Sequence, residues 1–212
     1  MSIDPRMAKF LLILFTGFIL SFKLKAQDKL YFGQTEIGIL MGKGAEQWDG
    51  THKKRRDVSL ISFHGARLSR NHVVGFSVGL DQYDDISIIP FAFGYRGFLG
   101  KDGKPKIFGG LDLGIGSALL EEKVSTEWNK SWYRGGLLFS PSVGIAFPAR
   151  KGNTSLSFSV AYKRQDLSYF QGSLIQPGAQ VVATDQLPPG FNSLNETEYL
   201  YRSMVFRIGL MY

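Results

Sequence analysis

Three histidines are the side chains best suited to act as a general base near neutral pH, and they are widely spaced: His52, His64 and His72. A serine hydrolase needs such a base within hydrogen-bond reach of the hydroxyl, and the chain contains no His-x-Ser pair. Scattered histidines in a chain without cysteine also make a poor metal site. We therefore predict no catalytic residue, no metal and no cofactor, and interpret each histidine as an ordinary polar residue.

A dense positive patch is formed by five consecutive residues, His52, Lys53, Lys54, Arg55 and Arg56. We place it in the first long connection, loop 1, where it could contact anionic phosphates or a surface glycan, or could be solvated. The longest connection, loop 4 (Arg164 to Tyr199), carries four acidic residues: Asp166, Asp185, Glu196 and Glu198. We expect loops 1 and 4 to pair with each other, at modest energy per exposed ion pair. A protein partner docked on loop 4 is the alternative.

Five charges interrupt segments in which bulky and small residues otherwise alternate: Glu36, Arg96, Asp112, Lys163 and Arg207. The alternation puts all five on the small-residue face. Two carboxylates among three cations could form a buried hydrogen-bonded network, in which an unpaired member would be costly. We interpret this network as a structural plug, and a proton or ion path is the alternative. His64 would join it if its own segment has the matching parity, which the sequence leaves open.

Eight segments carry this period of two, which is typical of strands whose successive side chains point to opposite faces. The predicted strands are Leu30 to Met41, Val58 to Leu68, Val73 to Asp81, Ile88 to Leu99, Lys106 to Leu119, Gly136 to Phe147, Ser155 to Lys163 and Ser203 to Tyr212. Their connections alternate between long and short, as in up-and-down membrane barrels. The sequence therefore predicts an all-β fold, an eight-stranded antiparallel up-and-down transmembrane β-barrel.

Side-chain size indicates which solvent surrounds this barrel. On each clear strand one face carries Phe, Leu, Ile, Val and Tyr, while the other is mostly Gly, Ser and Ala. Eight strands enclose a lumen that side chains fill, so the small residues fit inside and the bulky ones face lipid. A glycine-serine exterior nearly free of Lys and Glu would suit water poorly. Pro141 falls within a predicted strand and removes a ladder hydrogen bond, so we expect a bulge or a local bend there.

The N-terminal region resembles an export signal in its order of parts. Basic residues precede the apolar run Phe10 to Phe22, and Ala26-Gln27 follows shortly after. Thirteen residues fall short of the ~20 that a membrane-spanning helix needs. We predict a signal peptide over residues 1–26, cleaved between Ala26 and Gln27, and a barrel domain over residues 27–212. Met7 is a second possible start.

Charge and cysteine content exclude other classes of protein. The chain has a net charge of +7, and loss of the predicted leader removes four basic residues and one acidic residue, which leaves +4. This charge is too weak to indicate nucleic-acid binding, and no basic helix supports it. The absence of cysteine excludes disulfides, thiolate metal sites and a lipoprotein anchor.

Over about Leu30 to Tyr212 the chain resembles the small outer-membrane β-barrel family of Gram-negative bacteria. The terminal residues Phe206, Ile208, Leu210 and Tyr212 look like the C-terminal signal that the barrel-assembly machinery reads during insertion. The Ala26-Gln27 junction is similar to leaders of secreted Bacteroidetes proteins. The resemblance implies export to the outer membrane and contact with its lipid and lipopolysaccharide.

The resemblance implies no single activity, because the family includes adhesins, structural anchors, lipid-modifying enzymes and secretion-complex subunits. We expect a protein without catalysis that has a surface-binding or structural role through loops 1 and 4. Two alternatives stay open. One is a lipid A acyl hydrolase or transferase, and the other is a passive barrel subunit of a secretion or assembly complex.

Overall fold

The computed structural model describes residues 30–212 except 47, 49, 51, 84, 85, 102, 151, 152 and 176–186. In this part of the chain, segments with period-two alternation form most of nine strands. The strands are β1 (Tyr31–Glu46), β2 (His52–Arg67), β3 (His72–Gln82), β4 (Ser87–Leu99), β5 (Lys106–Ser117), β6 (Val124–Ser125), β7 (Asn129–Pro148), β8 (Ser155–Leu174) and β9 (Phe191–Met211). Within this described part, no helix has the length and apolar character to cross a membrane. The predicted signal peptide and its Ala26-Gln27 cleavage bond lie outside it.

Eight long strands close into a ring. The order β5-β4-β3-β2-β1-β9-β8-β7 is completed by pairing of β5 with β7, and the two-residue β6 lies on the edge of β7. Neighbouring strands pair antiparallel, as in β1 with β9, the first and last strands, and in β5 with β7. The predicted eight-stranded antiparallel barrel is thus confirmed. We call the end with the connections 47–51, 83–86, 118–128 and 175–190 the loop end, and the opposite end the turn end.

Bulky and small residues divide between the two faces of the wall. The outward face is a belt of exposed apolar side chains, among them Ile37, Leu60, Phe76, Phe93, Ile115, Val143, Phe158 and Phe206. On β2, whose parity the sequence left open, Ser59, Ile61 and Phe63 are buried. His64 therefore points outward, so the parity that would have placed it in the lumen does not occur.

Several strands are longer than predicted. The interpretation of Arg164 to Tyr199 as a loop is wrong, because β8 continues to Leu174 and β9 begins at Phe191. The two strands stay in register from Ser155 opposite Met211 to Ser173 opposite Ser193. β7 also begins at Asn129, seven residues before the predicted start. Together β7, β8 and β9 form a three-stranded extension beyond the ring at the loop end.

The irregularity in β7 is not at the proline. The β7–β8 register shifts between Gly135 and Leu138, whereas it is the same on both sides of Pro141. The prediction of a bulge at Pro141 is therefore wrong, whereas the alternative of a local bend stays a prediction. A Cβ on Gly135 would collide with the carbonyl oxygen of Gly116 in β5. A glycine is therefore required at the shift, where two backbones come unusually close.

The lumen is filled in layers. At the turn end, buried Phe32, Phe63, Phe98 and Phe108 pack edge to face or tilted, with ring centroids 5.6–6.0 Å apart. At the loop end a second apolar cluster includes Leu40, Ile88, Leu167 and Val205. Polar side chains lie between the two clusters. This arrangement is the filled interior expected for eight strands.

Candidate functional site

Among the described residues, buried ionisable side chains are most concentrated in the polar layer of the lumen. This layer buries four basic and four acidic residues, so their formal charges cancel. The basic residues are Arg55, Arg96, Lys163 and Arg207, and the acidic residues are Glu36, Asp57, Asp81 and Asp112. All five predicted lumen residues are among these eight. Burial of so many charges is favourable only when they are paired and hydrogen-bonded.

Arg96 and Asp112 form the best-ordered pair. The two terminal nitrogens of Arg96 each donate to one carboxylate oxygen of Asp112 at 3.0 Å, and Arg96 Nε donates to Gln34 Oε1 at 3.0 Å. Ser77 Oγ donates to Asp112 Oδ1 at 3.2 Å. The Arg96 guanidinium also lies 4.4 Å from the ring centre of Phe63. This bidentate geometry fixes both side chains and closes the space above the aromatic cluster.

Lys163 pairs with a residue that sequence reasoning missed. Its ammonium group contacts Asp81 Oδ2 across the lumen, and Ser59 Oγ donates to Asp81 Oδ1 at 2.7 Å. Asp81 shares the parity of Val73 and Ser77 on β3, so the alternation contained the signal. The predicted strand ended at Asp81, however, and a terminal carboxylate was not counted as interior.

Glu36 and Arg207 are both buried, but no ion pair within 4.0 Å joins them. Glu36 Oε1 accepts a hydrogen bond from Ser159 Oγ at 2.8 Å. Nε and Nη2 of Arg207 are buried and have no hydrogen-bond partner among the described residues. The structure therefore brings Arg96 together with Asp112 and leaves the other three predicted residues with partners outside the predicted set, or with none described.

Arg55 closes the lumen at the loop end. Its guanidinium pairs with Asp57, donates to Ser203 Oγ at 2.8 Å, and lies 4.8 Å and 4.5 Å from the ring centres of Tyr83 and Tyr201. The two tyrosine rings stack on each other with centroids 4.6 Å apart. Burial raises the pKa of the Tyr83 hydroxyl well above its ordinary value of 10. We call Arg55, Tyr83 and Tyr201 the cage. Its Tyr83 hydroxyl stays neutral, and the cage forms the loop-end boundary of the polar layer.

The basic patch is therefore not a loop patch, and that prediction is wrong. His52, Lys53, Lys54 and Arg56 are exposed residues at the start of β2, where alternation turns Arg55 alone into the lumen. The Nδ1 atom of His52 lies 3.3 Å from the carbonyl oxygen of Gly44. Because all five residues of the patch are polar, the sequence did not show which of them point into the lumen.

The expected pairing of this patch with loop 4 acids is not what the described contacts show. Glu196 accepts from Arg134 of β7 at 2.9 Å, and Asp166 lies 3.5 Å from Arg164 on its own strand. Asp185 lies outside the described residues. Both contacts are exposed and contribute little to stability.

One serine and one histidine do meet, on the outer wall. Ser62 Oγ lies 2.9 Å from His64 Nε2, and Thr35 Oγ1 lies 3.0 Å from Ser62 Oγ. The spacing is Ser-x-His and not the His-x-Ser considered above, and it places both residues on one face of β2. Elsewhere in the described chain, His72 Nδ1 contacts the Tyr95 hydroxyl. No cluster of three or more potential metal ligands occurs among the described residues.

The terminal residues follow the same division of faces. Phe206, Ile208, Leu210 and Tyr212 are exposed on the outward face of β9. The backbone of Tyr212 exchanges two hydrogen bonds with Gly33 of β1, at 2.8 Å and 2.9 Å. The proposed insertion signal thus lies on the outer surface of the strand pair that joins the first and last strands. Its use by an assembly machine stays a prediction.

Comparisons with solved structures find distant likenesses, among them an outer membrane protein and the translocator domain of an autotransporter. The outer membrane protein OprG from Pseudomonas aeruginosa is 10% identical, with a TM-score of 0.47 over 86% of this chain and 94% of OprG. The translocator domain of autotransporter NalP from Neisseria meningitidis is 13% identical, with a TM-score of 0.27 over 99% of this chain and 97% of that domain. No protein-family model matches the chain, and no curated protein matches it significantly. The fold assignment therefore depends on the strand pairing of this chain itself.

Proposed function

We propose that the chain is an integral outer-membrane protein without catalysis, which has a structural or surface-binding role at its loop end. The observation that carries this proposal is the exposed apolar belt around a closed ring of strands. Phe76, Phe91 and Phe93 are each more than half exposed, which would favour aggregation in water. A closed barrel leaves no unpaired strand edge, so lipid can surround the belt without breaking backbone hydrogen bonds.

Membrane extraction and electrophoresis test this location. The protein should remain in the membrane pellet after a carbonate wash, dissolve in detergent, and migrate differently on a denaturing gel before and after boiling. A folded monomer that stays soluble in buffer without detergent would contradict the proposal. The two apolar clusters and the polar layer fill the lumen, so we also expect no single-channel conductance in planar bilayers.

The three-stranded extension is the best candidate for a surface-binding element. Trp132 of β7 stacks on Phe170 of β8 with ring centroids 5.1 Å apart and an interplanar angle of 8°. Arg134 lies 4.5 Å from the Phe170 ring centre, and Lys130 lies 5.9 Å from the Trp132 ring centre. Cations held over aromatic faces in this way give the extension a basic, aromatic surface, which we propose contacts an anionic or carbohydrate surface. Trp132→Ala should reduce adhesion of intact cells to such a surface, whereas Trp128→Ala is a matched exposed control.

The Ser62–His64 contact favours the lipid hydrolase alternative, because it brings a hydroxyl and a candidate base together. A serine hydrolase also needs an acid that orients the histidine and donors for the oxyanion. Lipid A and phospholipid mass spectra from a deletion strain and from a Ser62→Ala strain test this alternative. Spectra equal to wild type exclude it. The role as a passive complex subunit is tested by gentle solubilisation, and a protein that purifies alone speaks against it.

A further inference from the structure

Cations follow directly above the apolar belt on four neighbouring strands. On β8 the next outward residue after Tyr162 is Arg164, on β9 Arg202 follows Met204, and on β1 Lys43 follows Met41. On β2 the outward residues beyond Val58 are Arg56 and then Lys54. We call the four exposed residues Lys54, Lys43, Arg202 and Arg164 the basic row.

The strand register places the members of the basic row side by side. Arg164 and Arg202 are direct partners in the β8–β9 pairing. Gly42 pairs with Ser203, so the next residues along, Lys43 and Arg202, are opposite each other. The row continues onto β2, where the carbonyl oxygen of Lys53 lies 3.1 Å from a Cβ built on Gly44. Three strand spacings of about 4.8 Å give the row a length of roughly 14 Å.

Like charges directly opposite each other destabilise a sheet unless something compensates them. Arg164 has a partner in Asp166 at 3.5 Å, where Arg164 is exposed and Asp166 is half-buried. For Lys43, Lys54 and Arg202, no carboxylate of the described residues lies within 4.0 Å. The lumen of the same barrel balances its charges one for one, so the imbalance on the outer wall indicates an anion supplied from outside.

An apolar groove begins beside this row. Its volume is about 310 Å³, and it is lined by Leu113, Leu137, Leu138 and Phe139, with Arg164 and Asp166 at its polar rim. Leu113 pairs with Phe139, and Phe139 pairs with Arg164, so the groove runs from β5 across β7 to the end of the row. The register shift in β7 lies just above it. A groove of this kind accommodates an acyl chain whose headgroup lies at the cations.

We propose that the basic row and the adjoining groove bind one phosphorylated lipid of the leaflet at the loop end. The phosphate lies against Arg164 and Arg202, which can donate paired hydrogen bonds to its oxygens. An acyl chain of the same molecule occupies the groove. The ligand is a lipid phosphate and not free phosphate, because half of the site is apolar. This inference deepens the proposed function and rests on the membrane location.

Native mass spectrometry of the full chain, extracted from membranes in a neutral detergent, tests the site. The probes are dioleoyl phosphatidic acid, dioleoyl phosphatidylethanolamine and inorganic phosphate. Phosphatidic acid should bind at about tenfold lower concentration than phosphatidylethanolamine, and 0.5 M salt should weaken it. The double variant Arg164→Gln/Arg202→Gln should lose about tenfold in affinity for phosphatidic acid. The matched control Lys101→Gln/Lys104→Gln removes two exposed cations at the turn end and should bind like wild type.

The outcomes separate this site from the membrane location. Equal binding of the two lipids by the wild type, or unchanged affinity in the double variant, overturns the site. Displacement of phosphatidic acid by an equal concentration of inorganic phosphate overturns the choice of a lipid. Should the double variant fail to fold, as judged by gel mobility before boiling, the lipid preference and salt dependence of the wild type decide alone. A chain that never enters the membrane fraction contradicts the proposed function instead.

Discussion

Replacing Asp112 by asparagine leaves the Arg96 guanidinium buried beside a neutral amide. Arg96 is 2% exposed and Asp112 is fully buried, so water cannot replace the lost carboxylate. Breaking a buried ion pair costs roughly 3–5 kcal/mol, and we expect the lower end because Gln34 still accepts from Arg96. Arg96→Met should cost a similar amount, since Ser77 is then the one described donor left to Asp112. The double variant has no unpaired charge, so it should lose far less than the sum.

The assay is urea unfolding in lipid vesicles, followed by tryptophan fluorescence and by gel mobility before boiling. A double-mutant cycle should give a coupling free energy of roughly 2–3 kcal/mol between Arg96 and Asp112. The exposed pair Arg134–Glu196, with a similar distance of 2.9 Å, is the matched control and should give less than about 1 kcal/mol. Additive effects at Arg96 and Asp112, or equal coupling in both pairs, would refute the reasoning that burial makes the lumen pair important.

Two further predictions concern the cage and the bulge. Because the raised pKa keeps Tyr83 neutral in the folded barrel while the unfolded chain ionises above pH 10, stability from this group is present below that pH and is lost above it. Thermal unfolding between about pH 9 and 11 should therefore shift less in Tyr83→Phe than in wild type, and equal shifts would count against a buried hydroxyl. Gly135→Val should lower the free energy of unfolding by at least roughly 1–3 kcal/mol, whereas Gly109→Ala, whose Cβ has its nearest neighbour at 4.0 Å, should change it little. Wild-type stability of the Gly135 variant would mean that β7 can slide past Gly116.

Within the ring, alternation predicted the direction of side chains because lipid and a filled lumen impose opposite demands on neighbouring residues. Arg96, Asp112 and Lys163 could be assigned to the interior on that basis alone. Asp57 and Asp81 could not, since a carboxylate near a predicted strand end resembles the start of a loop. The ion-pair partner of a lumen charge such as Lys163 could not be predicted either, because contacts across the lumen depend on the register of strands distant in sequence.

Beyond the apolar belt, the period-two alternation of apolar and polar residues is lost for a physical reason. The extension of β7, β8 and β9 has water on both faces, so polar residues such as Ser168 and Glu198 occur on either parity. No period of two remains, and the segment reads as a loop although its backbone is fully paired. The shift at Gly135 was equally hidden, because Pro141 looked like the stronger disruption. The proline is accommodated without a change of register.

Some contacts inside the lumen join strands that are not neighbours in the ring. Lys163 of β8 reaches Asp81 of β3, and Ser159 of β8 reaches Glu36 of β1. A half-built sheet can form the Arg96–Asp112 pair of neighbouring strands, but it cannot form the Lys163–Asp81 pair. Burial of Lys163 and Asp81 is therefore energetically coupled to closure of the ring, because an open sheet would have to bury each charge without the other.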